Sequence, residues 1–411
     1  MEQIDFSLLE KIAAKYGTPY YLMNTDIYED NVSSFVKALN KYYDKIVVGY
    51  SFKTNYVPAL CKDALNNGCY AEVVSALEYE LALKCGFSHI IFNGPIKKYE
   101  VFSRALDYGA VINLDSEYEL DYIADYLKCR SNNSIKVGIR VNIGLQDVFG
   151  NSAIQNGLKQ GRFGFPADRL SYIVDCLQSM GVTIYSIHGH TSSSDRAAKN
   201  DETIVNYMLD VCQMYNLNQI EYFDIGGGFF GAAANGIDVS HKPTYADYSK
   251  TIFDILLRND WFNKVKPSLV IEPGSSVVSN VFSYVSKVFQ VKYISGKYFV
   301  TTDGSVFDVK PTMHKNNMPF TLLSKMIQQD SIICDFVGST CMEKDIILSD
   351  VSMPKPQFGD LVKIDGVGAY TVVLTPDFIN FKPPILGLSD GKVSLIRRRQ
   401  NLSDVINTYT F

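Results

Sequence analysis

From about residue 30 to residue 275 the chain alternates between short apolar, β-branched runs and longer stretches with helical spacing. The strand-like runs are Ile46 to Tyr50, Cys69 to Val74, His89 to Asn93, Ala110 to Leu114, Ile135 to Val141, Thr183 to His188, Tyr222 to Ile225 and Leu269 to Ile271. Between them, Pro58 to Asn66, Lys97 to Asp107, Glu117 to Lys128, Asp168 to Met180 and Glu202 to Tyr215 carry apolar residues at helical spacing. Strands that are apolar on both faces and separated by helices predict a parallel sheet. Eight such units predict an α/β fold, a (β/α)8 TIM-like barrel over residues 30–275.

After Pro273 the pattern changes. Val277 to Val291, Lys297 to Thr302, Ser331 to Val337 and Asp360 to Ile364 read as strands, and only Thr321 to Gln328 looks helical. This predicts a C-terminal antiparallel β domain over residues 276–411. The first 29 residues hold a helical pattern and then a strand-like run, Thr18 to Met23, and are expected to join that domain. Ala232 to Gly236 reads as a small-residue loop, and Arg397-Arg398-Arg399 as a solvated face.

Composition narrows the functional classes. The 411 residues are 46% hydrophobic, enough for a barrel plus a second domain. A formal charge of -5, with Lys and Arg spread along the chain, argues against a nucleic-acid partner. No run approaches the ~18 apolar residues of a membrane span, so no membrane partner is expected. Met1 to Lys15 lacks the apolar core of a signal peptide. Eight cysteines without a C-x-x-C pair predict free thiols in a reducing, cytoplasmic compartment, and no residue is assigned to a metal.

In such a barrel, chemistry gathers where the strands end at the C-terminal mouth. Lys53 follows the first barrel strand, His190 the sixth and Gly226-Gly227-Gly228 the seventh, while Glu272 ends the eighth. A lone lysine is ordinarily a surface residue. Convergence on one rim favours function, because a lysine, a glycine cradle and an acid can hold pyridoxal phosphate covalently and tune its electronics. Gly226 to Gly231 also reads G-x-G-x-x-G, the dinucleotide fingerprint, but that motif normally follows the first strand of a doubly wound sheet. After a seventh strand it fits a phosphate site, with a tight turn as the alternative. Glu272 is either an exposed carboxylate or an acid that keeps a pyridine nitrogen protonated. His188 and His190 share a face by alternation, so one is free to stack on a ring, or both are structural. Ser192 to Ser194 offer hydroxyls to a phosphate or form a polar loop. Cys341 reads as a buried inert thiol or a loop thiol near a site, and Tyr370 as a phosphate ligand or a packing residue.

These residues, in this order, resemble the fold-type III pyridoxal-phosphate-dependent decarboxylases, the group of diaminopimelate and ornithine decarboxylases. The resemblance runs from Thr18-Pro19-Tyr20 to the final β segment. Y-x-x-K-x-N appears as Tyr50 to Asn55, H-x-G-S in altered form as His190-Thr191-Ser192-Ser193, and E-P-G-R as Glu272-Pro273-Gly274-Ser275. C-x-x-x-D appears as Cys341 to Asp345, and the terminal G-A-Y as Gly368-Ala369-Tyr370. The resemblance implies that Lys53 holds the cofactor and that His190 stacks on its ring. It also implies that Ser193, Gly226, Gly227, Gly228, Glu272, Gly274, Ser275 and Tyr370 complete the cofactor site. Cys341 is implied as the catalytic proton donor, contributed by the partner chain of a homodimer, and Lys310, Glu343 and Asp345 as the substrate side.

Three departures bear on substrate. Ser275 stands where the family has arginine, Lys310 where arginine precedes proline, and Met342 where an acid follows the cysteine. Loss of a bidentate carboxylate clamp and of an acid for a distal ammonium argues against diaminopimelate. The expectation is therefore decarboxylation of an amino acid or amino-acid conjugate other than free diaminopimelate. The alternatives are a diaminopimelate or other basic amino-acid decarboxylase, an amino-acid racemase, and a non-catalytic cofactor-binding homologue. A racemase would more often place arginine at the pyridine nitrogen.

Overall fold

Strands that are apolar on both faces must be covered on both faces. The computed structural model describes residues 6–129, 135–147, 149–231, 233–234, 237–326 and 329–410. A helix, Phe6–Tyr16, leads into strand β1 (Tyr20–Asn24). Eight parallel strands then close into a barrel: β2 (Ile46–Ser51), β3 (Tyr70–Val73), β4 (Ile90–Phe92), β5 (Val111–Leu114), β6 (Lys136–Val141), β7 (Thr183–Gly189), β8 (Tyr222–Asp224) and β9 (Ser268–Ile271). The ring closes where Val48 of β2 pairs with Ile271 of β9. Each strand agrees with a run expected from the sequence to within a residue or two.

The helices between the strands bury one stripe each. Pro58–Asn66 begins on a proline, whose missing N–H costs nothing in a first turn, and buries Leu60, Cys61 and Ala64. Ala76–Cys85 went unread because its apolar residues do not form one stripe; Leu77 is exposed while Tyr79 and Ala82 are buried. Its ends are nonetheless encoded. The Ser75 hydroxyl accepts the Glu78 N–H at 3.2 Å, and Gly86, at φ 94°, ends the helix in the left-handed region.

Past the barrel come β10 (Phe282–Ile294), β11 (Lys297–Thr302), β12 (Phe320–Leu323), β13 (Ser331–Val337), β14 (Ile346–Pro354), β15 (Leu361–Asp365), β16 (Ile385–Ser389) and β17 (Lys392–Arg397). With β1 they form one sheet in the order β14-β13-β11-β10-β1-β16-β17, β15 joining β10 and β12. The sheet is mostly antiparallel, but β1–β16 and β11–β13 are parallel pairs. Leu9, Ile12, Tyr20, Leu22, Val285, Leu361, Leu386 and Leu388 form its core. Burying each such side chain contributes about 1.5–3 kcal/mol.

The fold divides into two compact units. One holds Asp30–Gly231 and Ser240–Ser276, and the other Met1–Glu29, Ala232–Val239 and Val277–Phe411. Three local expectations need correction. Phe320–Leu323 is a strand where Thr321 to Gln328 looked helical, because pairing with β15 overrides local spacing; its last two residues lie outside the described set. The segment from Val277 starts as one helical turn, Ser275–Val278, and becomes strand only at Phe282. The arginine run is not a uniform solvated face. Arg397 and Arg399 donate to the carbonyls of Pro383 and of Thr18 and Pro19, and Arg398 alone is exposed, paired with Asp404. Ala232, Asn235 and Gly236 of the small-residue loop lie outside the described residues.

Candidate active site

Lys53 sits in a single tight turn, Phe52–Thr54, that follows directly on β2. Its neighbours Phe52 and Thr54 are buried and fix the turn, while the Lys53 side chain stays 31% exposed. The Nζ pairs with Glu72 of β3, which is fully buried, and lies 3.4 Å from the Ser51 hydroxyl. Gly274 has to lack a side chain here, since a Cβ would come within 2.2 Å of Thr54 Oγ1. The chain after β9 can thus lie against the lysine turn.

From Glu72 a chain of polar side chains crosses the barrel. Ser51 Oγ donates to Glu72 Oε2 at 2.7 Å, and Asn93 Nδ2 donates to Glu72 Oε1 at 3.1 Å and to Glu272 Oε1 at 2.6 Å. Asn113 Nδ2 donates to Asn93 Oδ1 at 2.8 Å, and Ser186 Oγ donates to Asn113 Oδ1 at 2.8 Å. Residues from β2, β3, β5 and β7 and from the ends of β4 and β9 are so joined. Charged and amide groups this deep persist only when satisfied, which this network achieves.

Strand register brings a second set together. Arg140 of β6 pairs with His188 of β7, and His188 with Asp224 of β8. His188 Nε2 lies 3.5 Å from Glu272 Oε2, and one ring nitrogen of His188 and one carboxylate oxygen each of Asp224 and Glu272 lie within 4.8 Å of one another. Arg140 reaches Asp115 at 3.3 Å and donates to the His190 carbonyl at 3.0 Å. Burial pushes the Glu272 carboxyl up, but His188 and Lys53 around it outweigh burial, and the net direction is down. Burial pushes His188 down, and pushes His190 to about 3 with help from Arg140 and Lys53. Geometry agrees for His190, whose Nδ1 accepts the Gly227 N–H at 2.9 Å and is therefore unprotonated. The two imidazole planes are within 11° of parallel.

The glycine segment works differently from a bare cradle. Gly226 donates its N–H to Asp224 Oδ1 at 2.9 Å, and Gly227 donates to His190, so both groups are spent inside the protein. A Cβ on Gly227 would meet the Glu272 carbonyl at 2.5 Å, so the β8 loop approaches the end of β9 only as glycine. The phosphate reading narrows to Gly228, where an added Cβ would meet only the Thr191 carbonyl, at 3.9 Å. Ser193, expected near a phosphate, accepts the Arg196 N–H at 3.0 Å and the Asn200 amide at 2.8 Å, the pattern of a turn residue. Ser275 is half-buried at the start of its helical turn.

The barrel unit thus gathers Lys53, His190, Gly226, Gly227, Gly228, Glu272 and Gly274 at one end of the strands. Lys310, Cys341, Glu343, Asp345 and Tyr370 belong to the other unit. There Lys310 is 3% exposed, and burial pushes its ammonium down. Cys341 and Glu343 are exposed, and Tyr370 is 40% exposed. Asp345 departs from its expected place at substrate. Its buried carboxylate accepts the Val306 N–H at 2.6 Å, the Ser305 hydroxyl at 3.3 Å, the Thr340 N–H at 3.1 Å and the Thr340 hydroxyl at 2.6 Å. Four donors leave it a scaffold role, tying the cysteine loop to the helical turn Val306–Val309.

Glu72, Asn93, Asn113 and Arg140 had no role in the sequence reading. A signal was present: each is a polar residue inside or at the end of an apolar strand run.

Residues 29–279 match the family model described as the pyridoxal binding domain of pyridoxal-dependent decarboxylases. A diaminopimelate decarboxylase of Campylobacter jejuni is 28% identical, over 97% of this chain and 97% of its own length. A probable chloroplastic diaminopimelate decarboxylase of Oryza sativa is 27% identical, over 97% of this chain and 81% of its own. In structure, the diaminopimelate decarboxylase of M. jannaschii solved with L-lysine aligns at a TM-score of 0.85 and 23% identity, covering 98% of this chain and 94% of that one. That likeness shows the fold, a barrel with a C-terminal β domain.

Proposed function

The chain belongs to the pyridoxal-dependent decarboxylases, a carboxy-lyase family whose cofactor is pyridoxal phosphate, and from that premise we propose that its substrate is diaminopimelate or a closely related basic amino acid. The relatives support this choice, since their names specify diaminopimelate and the likeness spans nearly the whole chain. They favour it over the conjugated amino acid expected from Ser275 and Met342.

The donor set fits the cofactor. An amine lies beside a buried acid at Lys53 and Glu72, Glu272 is a buried carboxylate with a net downward shift, and His190 is a neutral flat ring. When bound, pyridoxal phosphate supplies an electron sink for the pair left behind by carbon dioxide. Lys53 would hold it through its amine, and Glu72 would hold the proton of that amine nearby. Glu272 would offer its negative charge to the ring nitrogen, and His190 would offer the ring an uncharged face. Gly228 and Ser275 would hold the phosphate, and Tyr370 would offer it a hydroxyl. Lys310 draws a substrate carboxylate as a point charge, and Glu343 takes a distal ammonium. Cys341 returns a proton, and the exposure of its loop fits a homodimer in which each chain completes the other's site. Eight free cysteines support a reducing compartment such as the cytoplasm. Among the described residues no helix is long and apolar enough to cross a membrane.

The observation that carries the choice of substrate is the whole-length likeness to diaminopimelate decarboxylases, and the hydrogen-bonded path from Lys53 through Glu72 and Asn93 to Glu272 supports the place of the cofactor. The test is carbon dioxide release from meso-diaminopimelate beside lysine, ornithine, arginine and N-acylated amino acids. Diaminopimelate should give the highest kcat/KM. Turnover confined to acylated amino acids would instead favour the second reading, a modified amino acid, which Ser275 and Met342 support.

A further inference from the structure

Asp224 and Glu272 are two carboxylic acids in one dry space. They are 1% and 2% exposed, and one carboxylate oxygen of each, with a ring nitrogen of His188, lies within 4.8 Å of the others. Two like charges so close in a low dielectric cannot both be kept, so one acid holds a proton. The surroundings decide which. Glu272 accepts from Asn93 at 2.6 Å, has His188 at 3.5 Å, and lies in the field of Lys53. Among the described residues Asp224 has one hydrogen-bond donor, the Gly226 N–H on Oδ1, and its Oδ2 is buried without a donor. Between two carboxylates there are only acceptors, and a proton on Oδ2 would supply the missing donor.

We propose that Asp224 is a neutral positioning residue whose Oδ2–H donates to the Glu272 carboxylate, so that a single negative charge, on Glu272, faces the cofactor ring nitrogen. The proton is taken from solvent on folding, and no group in the barrel changes its charge in exchange. This rests on the proposed role of Glu272. The charged and titratable groups around the pair are Glu72, Arg140, His188, His190 and Lys53. Burial, and then Glu272 itself, push the Asp224 carboxyl well above the usual range against the pull of the Gly226 N–H. The Gly226 bond fixes Oδ1, and so directs Oδ2. The glycine segment therefore orients the acid pair as well as the His190 ring.

The experiment compares D224N, which keeps a donor of the same shape, with D224A, which removes it, in the holoenzyme. Infrared spectra of the wild type at neutral pH should show a protonated carboxyl stretch that is absent in D224N. D224A should lower kcat about tenfold and move the acidic limb of the kcat profile up by about one pH unit, since Glu272 loses a donor to its charged form. D224N should recover most of that loss. Equal damage by D224N and D224A, or no carboxyl band assignable to Asp224, overturns the proposal. If D224A does not fold, the infrared band and the D224N profile still decide it. Failure of the underlying reading looks different: the wild type itself would then show no visible band that borohydride bleaches and that Lys53→Ala removes.

Discussion

Glu72 and Glu272 at the barrel mouth are buried in a different way from Asp345, Asp335 and Asp303 of the β-rich unit. In the barrel, Glu72 and Glu272 meet other side chains: Lys53, Ser51, Asn93 and His188, carried by strands far apart in sequence. In the β-rich unit backbone N–H groups join the partners: Asp345 accepts from those of Val306 and Thr340 beside the Ser305 and Thr340 hydroxyls, Asp335 from that of Asp350 beside its Lys297 pair, and Asp303 from that of Lys287 beside the Thr18 hydroxyl. An acid held by side chains keeps a charge that neighbours can tune. An acid held by backbone N–H groups is part of the scaffold. The difference separates residues that do chemistry from residues that shape a loop, although both are buried carboxylates.

Several substitutions would break or sharpen that contrast. The largest effect is expected at Lys53. Lys53→Ala should lower decarboxylation by roughly 10³-fold or more, within the range of a lost acid–base group, and abolish the visible cofactor band. Asp345→Ala should act on stability instead, because it strands buried donors. A loss of about 3 kcal/mol in urea unfolding is expected, with faster iodoacetamide labelling of Cys341 by peptide mass spectrometry. If Asp345→Ala raised KM without lowering stability, the scaffold assignment would be wrong.

Asn93→Ala tests the barrel network. It removes the donor to both Glu72 and Glu272 and leaves the Asn113 amide without its acceptor. A cost of about 2 kcal/mol in the unfolding midpoint is expected, together with a lower kcat. A stability loss with kcat intact would mean that the network only fills space.

Asp201 is a barrel-unit acid outside the network. It lies in the helix Ala198–Met214, and burial pushes it up to about 8, against its own backbone N–H. Folding therefore retains a proton that the unfolded chain loses above about pH 4. Stability contributed by this group is present at low pH and falls as pH rises towards 8. Asp201→Asn removes the penalty, so its advantage over the wild type should grow across that window, to a few kcal/mol at most. Parallel stability curves would show Asp201 to be ionised. The smallest effect is expected at exposed Glu343, where Glu343→Gln should change stability by less than about 0.5 kcal/mol and raise KM for a diamino substrate if it meets the distal ammonium.

Much of this was legible in one dimension. Alternating runs are short-range patterns, and they located the barrel strands because each is buried by its own apolar side chains. Lys53, His190, Gly226 and Glu272 were legible because strand ends of a parallel barrel share one mouth. The helix Ala76–Cys85 and the strand Phe320–Leu323 were not, since neither carries its own periodicity and each depends on partners elsewhere. The family signature located Asp345, yet its four donors come from a turn some forty residues away and from its own loop.

Sequence alone therefore settled which residue types were available and at which strand ends they stood, since the period of a strand and the reactivity of an amine are local properties. Which acids carry charge, which glycine N–H groups remain available, and which polar residues join into one path were decided by the tertiary fold. Those properties depend on distance and on exclusion of water, and neither is written in the order of the residues.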